Sequence, residues 1–144
     1  MENNIINFFF EEIEEPVLDY NKIKFWLSSL IDKHSQQLVE INYIFCSDDY
    51  LLEVNKEYLD HDYYTDIITF DNSDREEEIE GDIFVSIDRI KNNSTDLHTN
   101  HLEETIRVLA HGILHLCGFK DKTPAETSIM RAEEDKAIEL YKNS

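Results

Sequence analysis

Two histidines one helical turn apart, followed by a glycine and an acid, are the residues of this chain best suited to chemistry. In His111-Gly-Ile-Leu-His115-Leu-Cys-Gly118-Phe-Lys-Asp121 the imidazoles stand at i and i+4, one above the other on any helix that carries them. Two such nitrogens can bind one ion at about 2.0–2.1 Å. One helix face cannot complete a tetrahedron, so a third ligand must come from beyond the helix. Gly118 lets the chain reverse, and Asp121 then returns toward the histidines. The spacing HxxxHxxGxxD is that of metzincin-type zinc sites with an acid in the last place. Three protein ligands leave a position open for water, as catalytic zinc sites do. The expected centre is one Zn2+ per chain on His111, His115 and Asp121.

Gly112 narrows the chemistry. A zinc peptidase of the HExxH type carries its glutamate base at that position, so the standard peptidase reaction lacks its base here. A blander account of the same residues also exists: two surface histidines at a helix end, with Asp121 merely preceding a cap at Thr123. His34, His61, His98 and His101 are scattered and read as ordinary loop or surface residues, with only His98 and His101 close enough together to pair.

The elements that must hold this constellation follow from periodicity. Leu102, Ile106, Leu109, Ala110, Ile113, Leu114 and Cys117 form the apolar stripe of a helix over 101–117. At about 100° per residue, His111 and His115 lie nearly opposite that stripe, on a face shared with Glu104 and Val108. Thr123-Pro124-Ala125-Glu126 is a capping box with proline at the first helical position, and a final helix runs toward Tyr141. Upstream, Ile5–Phe10 and Val39–Phe45 read as strands, and Tyr20–His34 as an amphipathic helix. Ser47 reads as the N-cap of a helix to about Leu59. Asp66–Phe70 and Asp82–Ile87 are two more short strands, with the acidic stretch between them read as an exposed hairpin loop. Residues 88–100 read as a short helical stretch that loosens. The order βαβαββαα predicts an α+β fold of mixed layers, a small mixed sheet packed with helices.

With 144 residues, the chain is expected to be a single domain, 1–144, of a metal-dependent hydrolase. MENNIINFFFEE lacks the basic start and apolar core of a signal peptide, and no apolar run approaches the ~20 residues that span a bilayer. A cytoplasmic protein with no membrane partner is expected. Cys46 and Cys117 do not form a CxxC pair and read as two small buried thiols. The net charge of −19 opposes broad electrostatic gripping of nucleic acid. That charge is uneven, for in 101–122 three acids balance Arg107, Lys120 and Lys122.

HGILHLCGF followed by Asp121 closely resembles the HGxLHLxGY signature of the YbeY family of bacterial endoribonucleases. Three further blocks are similar to that family's pattern. They are Asn55-Lys-Glu-Tyr58 with Asp62 and Thr65–Phe70, then Gly81-Asp82-Ile83 with Ser86, then Met130 with Glu133 or Glu134. The resemblance implies a zinc-dependent hydrolase of single-stranded RNA, acting in 16S ribosomal RNA 3′-end maturation and ribosome quality control, with the ribosome or its proteins as partners. Three places depart from the pattern: Asp121 stands where the third ligand is usually histidine, Leu59 where the family has an arginine, and Tyr64 where it has a proline. Arg107, one turn before His111, is the catalytic candidate to replace that arginine, against an ordinary reading as a solvent-facing charge. A zinc ion supplies Lewis acidity and lowers the pKa of bound water to about 7, while Arg107, Lys120 or Lys122 can oppose charge growing on phosphoryl oxygens. Glu104 is the geometric candidate for a base. Two other classes fit the same residues: another zinc hydrolase, including an unusual peptidase, or a non-catalytic ribosome-assembly factor stapled by its metal. The second would need a closed fourth position, filled by His98 or His101.

Overall fold

The computed structural model describes residues 5–96 and 100–144. Its sheet is built by β1 (Ile6–Glu11), β2 (Gln37–Cys46), β3 (Ile67–Asp71) and β4 (Glu78–Ser86), arranged β1-β2-β4-β3. β1, β2 and β4 run parallel, and β3 is antiparallel to β4. Five helices complete the chain: α1 (Tyr20–Lys33), α2 (Asp48–Leu59), α3 (Ile87–Asp96), α4 (His101–Leu116) and α5 (Pro124–Lys142). This is the mixed α+β arrangement that the element pattern predicts.

Parallel strands need helical crossovers, which leave both sheet faces covered. One face carries the larger core. Trp26, Leu27 and Ile31 of α1, Ile106, Leu109 and Ile113 of α4, and Ala137 and Ile138 of α5 pack there against Ile41, Tyr43, Ile83 and Val85. Two buried polar groups lock this layer: Trp26 Nε1 donates to the Ala137 carbonyl at 2.8 Å and Tyr43 Oη to the Leu109 carbonyl at 2.8 Å. The other face carries a smaller cluster, Cys46, Leu51, Val54 and Ile68, under α2.

Two sequence expectations need correction. There are nine elements among the described residues rather than eight, because 87–96 is a full helix. Its polar composition hides the spacing of Ile87, Ile90 and Ser94, all buried, and Ser86 Oγ accepts from Arg89 N at 3.1 Å to cap it. The acidic hairpin loop is also shorter than expected, since β4 begins at Glu78. Glu78-Ile79-Glu80-Gly81 alternates outward acids with inward Ile79 and Gly81, a period-2 pattern masked by its charge. Gly81 is demanded by packing, because a Cβ there would collide with the Phe70 carbonyl oxygen across the β3–β4 pair.

Candidate metal centre

α4 presents the site because its apolar stripe is seated on β3 and β4. Asn100 caps the helix, its Oδ1 accepting from Leu102 N at 2.8 Å and Glu103 N at 3.1 Å. Gly112 faces the sheet, where a Cβ would stand 3.0 Å and 3.1 Å from Ile83 and 3.2 Å from Ile67. The helix therefore approaches the strands closely at His111.

At its C-terminus the chain turns by a Schellman motif. Phe119 N donates to the Leu114 carbonyl at 3.1 Å and Gly118 N to the His115 carbonyl at 3.0 Å. Gly118 takes φ +109°, a region that glycine enters without steric cost. The α5 capping box then ties down the returning chain. Lys122 N and Thr123 N both donate to Glu126 Oε1, and Thr127 Oγ1 donates to the Asp121 carbonyl at 3.1 Å. Sequence reasoning placed the glycine turn and the cap, and together they bring Asp121 back beside His111.

His111 Nε2 lies 3.3 Å from Asp121 Oδ2. Two ligands about 2.0–2.1 Å from one tetrahedral ion stand about 3.3–3.4 Å apart, so this pair already has the separation that zinc requires. The His115 ring lies parallel to that of His111, 8° between planes, with centroids 6.4 Å apart. Among the described residues no three His, Cys, Asp or Glu side chains are gathered tightly enough to enclose an ion. His115 is exposed, and turning its side chain inward is what would complete the set. In donor type the three residues suit zinc; in position, two of them do. His101 is exposed and begins α4 ten residues before His111, about 15 Å along the axis, so it does not close the site. His98 lies outside the described residues.

Glu134 of α5 is the residue that the motif alone did not assign. It is 6% exposed and its Oε2 accepts from His111 Nδ1 at 2.7 Å. A carboxylate there holds a proton on Nδ1 and so makes Nε2, which faces Asp121, the nitrogen that an ion would take, the usual support of a metal-binding imidazole. Its other oxygen, Oε1, accepts from Arg107 Nη1 at 3.0 Å, and Arg107 Nη2 donates to Asp135 Oδ1 at 2.7 Å. Arg107 is thus no solvent-facing charge, since its side chain is 12% exposed and ion-paired at both ends. Burial works against its charge, but Asp135 and Glu134 hold it protonated. Burial likewise opposes protonation of His111, yet the hydrogen bond and charge of Glu134, with Asp121 and Asp66, raise its pKa above the ordinary value. The sequence signal for Glu134 was a carboxylate set in the apolar stripe Met130, Ala137, Ile138 and Tyr141.

These groups open onto a cavity of about 550 Å³. Glu104, Arg107, Val108, His111 and His115 form one wall, as the helix face predicts. The rest of the lining includes Asn55 and Leu59 of α2, and His61, Tyr63 and Asp66 from the segment between α2 and β3. His61, read from sequence as an ordinary surface residue, therefore belongs to the cavity. Burial pushes the Asp66 carboxyl above the usual aspartate range, with His111 partly opposing. Lys122 and Arg131 reach the cavity, and Lys120 is exposed outside its lining. Burial raises Cys117 to about 11, and burial with Asp88 and other acids nearby raises Cys46 to about 12, so neither is a thiolate at neutral pH.

Comparison with known proteins agrees with the motifs. A family model described as Endoribonuclease YbeY matches residues 9–142. A relative from Cytophaga hutchinsonii named Endoribonuclease YbeY is 51% identical over 142 residues, covering 99% of each chain. One of the same name from Parabacteroides distasonis is 42% identical over 135 residues, covering 94% of each. The solution structure of TM1509 from Thermotoga maritima has the same fold, with a TM-score of 0.66 at 23% identity over 93% of this chain and 88% of that one.

Proposed function

Because the chain belongs to the YbeY endoribonuclease family, we propose that it is a zinc-dependent endoribonuclease that cuts single-stranded ribosomal RNA. Its place is the 3′-end maturation of 16S rRNA and ribosome quality control in the cytoplasm, with ribosomal components as partners. No helix among the described residues is long and apolar enough to cross a membrane, in keeping with a site that meets RNA in water.

The observation that carries this reading is the hydrogen-bonded line Arg107–Glu134–His111 ending at Asp121. It sets one imidazole nitrogen beside one carboxylate at ligand spacing, in a cavity of about 550 Å³. His111, His115 and Asp121 would hold zinc, which when bound supplies Lewis acidity toward the scissile phosphodiester. Glu134 orients His111, and Arg107 holds Glu134 in place. Lys122 and Arg131, the less committed cations of the cavity, oppose negative charge on the phosphoryl oxygens. Glu104 lies buried in the lining of the same cavity and is the candidate to take a proton from an attacking hydroxyl. The exposure of His115 and the distance of His101 speak against a closed, purely structural ion.

The purified protein should contain close to one zinc per chain and lose it in His115→Ala and in Asp121→Ala, because partial sites bind far more weakly. It should cleave single-stranded ribosomal RNA, and a strain lacking it should accumulate unprocessed 16S ends. Full zinc content in both variants would remove the ligand assignment. Normal 16S ends together with inert RNA would remove the substrate, leaving another hydrolase or an assembly factor.

A further inference from the structure

The end of α2 and the segment that joins it to β3 expose four large side chains in close succession: Tyr58, Leu59, Tyr63 and Tyr64, at 64%, 39%, 55% and 48%. Two of them have other engagements. Tyr58 meets Phe70 edge to face, and Tyr64 donates to Asp49 at 3.1 Å with Arg89 over its ring. Leu59 and Tyr63 instead line the cavity, and with them His61. The His61 and Tyr63 rings are stacked, 5.1 Å between centroids and 20° between planes, with Tyr63 Oη 3.0 Å from His61 Nδ1.

This pair is held in place from below. Asn55, 2% exposed, donates through Nδ2 to the Tyr63 carbonyl at 2.9 Å. At the preceding turn Asp60 takes φ 57° and His61 N bonds the Asn55 carbonyl at 3.1 Å. A flat aromatic surface, half open to water and fixed by backbone contacts, suits another flat ring. Unpaired bases stack on such surfaces, whereas a duplex keeps its base faces buried.

The charges point the same way. Arg107 is tied to Glu134 and Asp135, which leaves Lys122 and Arg131, the latter 4.0 Å from Glu134, against Asp66, Glu104 and Asp121. Phosphate attraction in this cavity is weak, so affinity must come from ring contact. We propose that His61 and Tyr63, backed by Leu59, form the platform on which an unpaired base of the substrate strand stacks. Selection of single strands is then set by this wall rather than by charge. The inference rests on reading the cavity as an RNA-cleaving site.

The test is fluorescence anisotropy with a short, cleavage-resistant phosphorothioate oligoribonucleotide, its duplex, and the same strand carrying abasic positions. The wild-type protein should prefer the single strand with bases. Tyr63→Ala should weaken that strand about 5- to 160-fold, the range of one base–aromatic stack. Tyr63→Phe, which keeps the ring and loses only the hydroxyl contact to His61, should bind as wild type. With two available cations, the plot of log affinity against log salt should be no steeper than about −1.4. The platform is overturned if wild type binds the strand and Tyr63→Ala binds it equally, or if abasic and base-bearing strands bind alike. If wild type binds no RNA in any form, the RNA reading of the cavity falls, and the platform with it.

Discussion

Replacing Glu134 by glutamine changes one charge and almost no volume, yet it should lower zinc affinity by about 10- to 100-fold, or about 1.4–2.7 kcal/mol. Glu134 accepts twice, from Arg107 Nη1 at 3.0 Å and from His111 Nδ1 at 2.7 Å. Arg107 is a donor only, so a glutamine must turn its carbonyl oxygen toward Arg107. Its amide NH2 then faces His111 Nδ1, which can accept only by giving up its proton. The proton moves to Nε2, the atom 3.3 Å from Asp121, and that nitrogen is no longer free to bind an ion. The assay is competition with a chromophoric chelator at neutral pH, alongside thermal melts to establish that the variant is folded. Asp135→Ala is the control. It removes the partner of Arg107 that is 61% exposed while Glu134 keeps hold of the guanidinium, so zinc affinity should stay within about two-fold, as for other exposed ion pairs. Equal zinc affinity in wild type and Glu134→Gln would refute the tautomer argument. An equal loss in both variants would place the effect in Arg107 instead.

Gly112→Ala should destabilise the fold by roughly 1 kcal/mol, because overpacking of about 1–3 kcal/mol exceeds the helix-propensity gain of at most about 1 kcal/mol. The new methyl would meet Ile83, which is fully enclosed and has no room to retreat, at 3.0 Å. Calorimetry should show a melting temperature lower by about 2–4 °C, and an unchanged or higher value would mean that the helix can lift from the sheet at no cost. Asp66→Asn should raise stability in zinc-free protein. Burial raises the folded pKa of Asp66, so the wild type loses stability as pH climbs from the unfolded aspartate value through the folded one, and the amide does not. The advantage of the variant should therefore be absent in acid and full at neutral pH, and a pH-independent difference in denaturation midpoints would contradict it.

What could be read in the sequence were features that a single stretch of chain determines. The Ser47 and Thr123 caps, the Gly118 turn and the i, i+4 histidines each depend on a few neighbouring residues, and each stands where the pattern put it. β4 and α3 were misjudged at their edges for a related reason: Glu78, Glu80 and the polar run after Asp88 looked like loop by composition, although Ile79, Ile87 and Ile90 are fully or nearly fully buried. The supports of the site depend instead on distant pairings. Glu134 meets His111 from 23 residues away, and local sequence shows only a carboxylate in an apolar stripe, a conflict that signals a buried partner without naming it.

The aromatic part of the lining could not be placed from local sequence, because only the antiparallel pairing of β3 with β4 and the seating of α4 on both bring Leu59, His61 and Tyr63 into one cavity with the histidines. That placement also bears on the charge of −19, which from composition alone argues against an RNA substrate. Ring stacking needs no net positive charge. A cavity that took an ion at the histidines and a base at the His61–Tyr63 pair could therefore work within an acidic protein, provided that the few cations near the phosphate are not already paired. Arg107 is paired and Arg131 lies 4.0 Å from Glu134, whereas Lys122 has no ion-pair partner among the described residues, so on the proposed reading Lys122 is the cavity cation free to meet a strand.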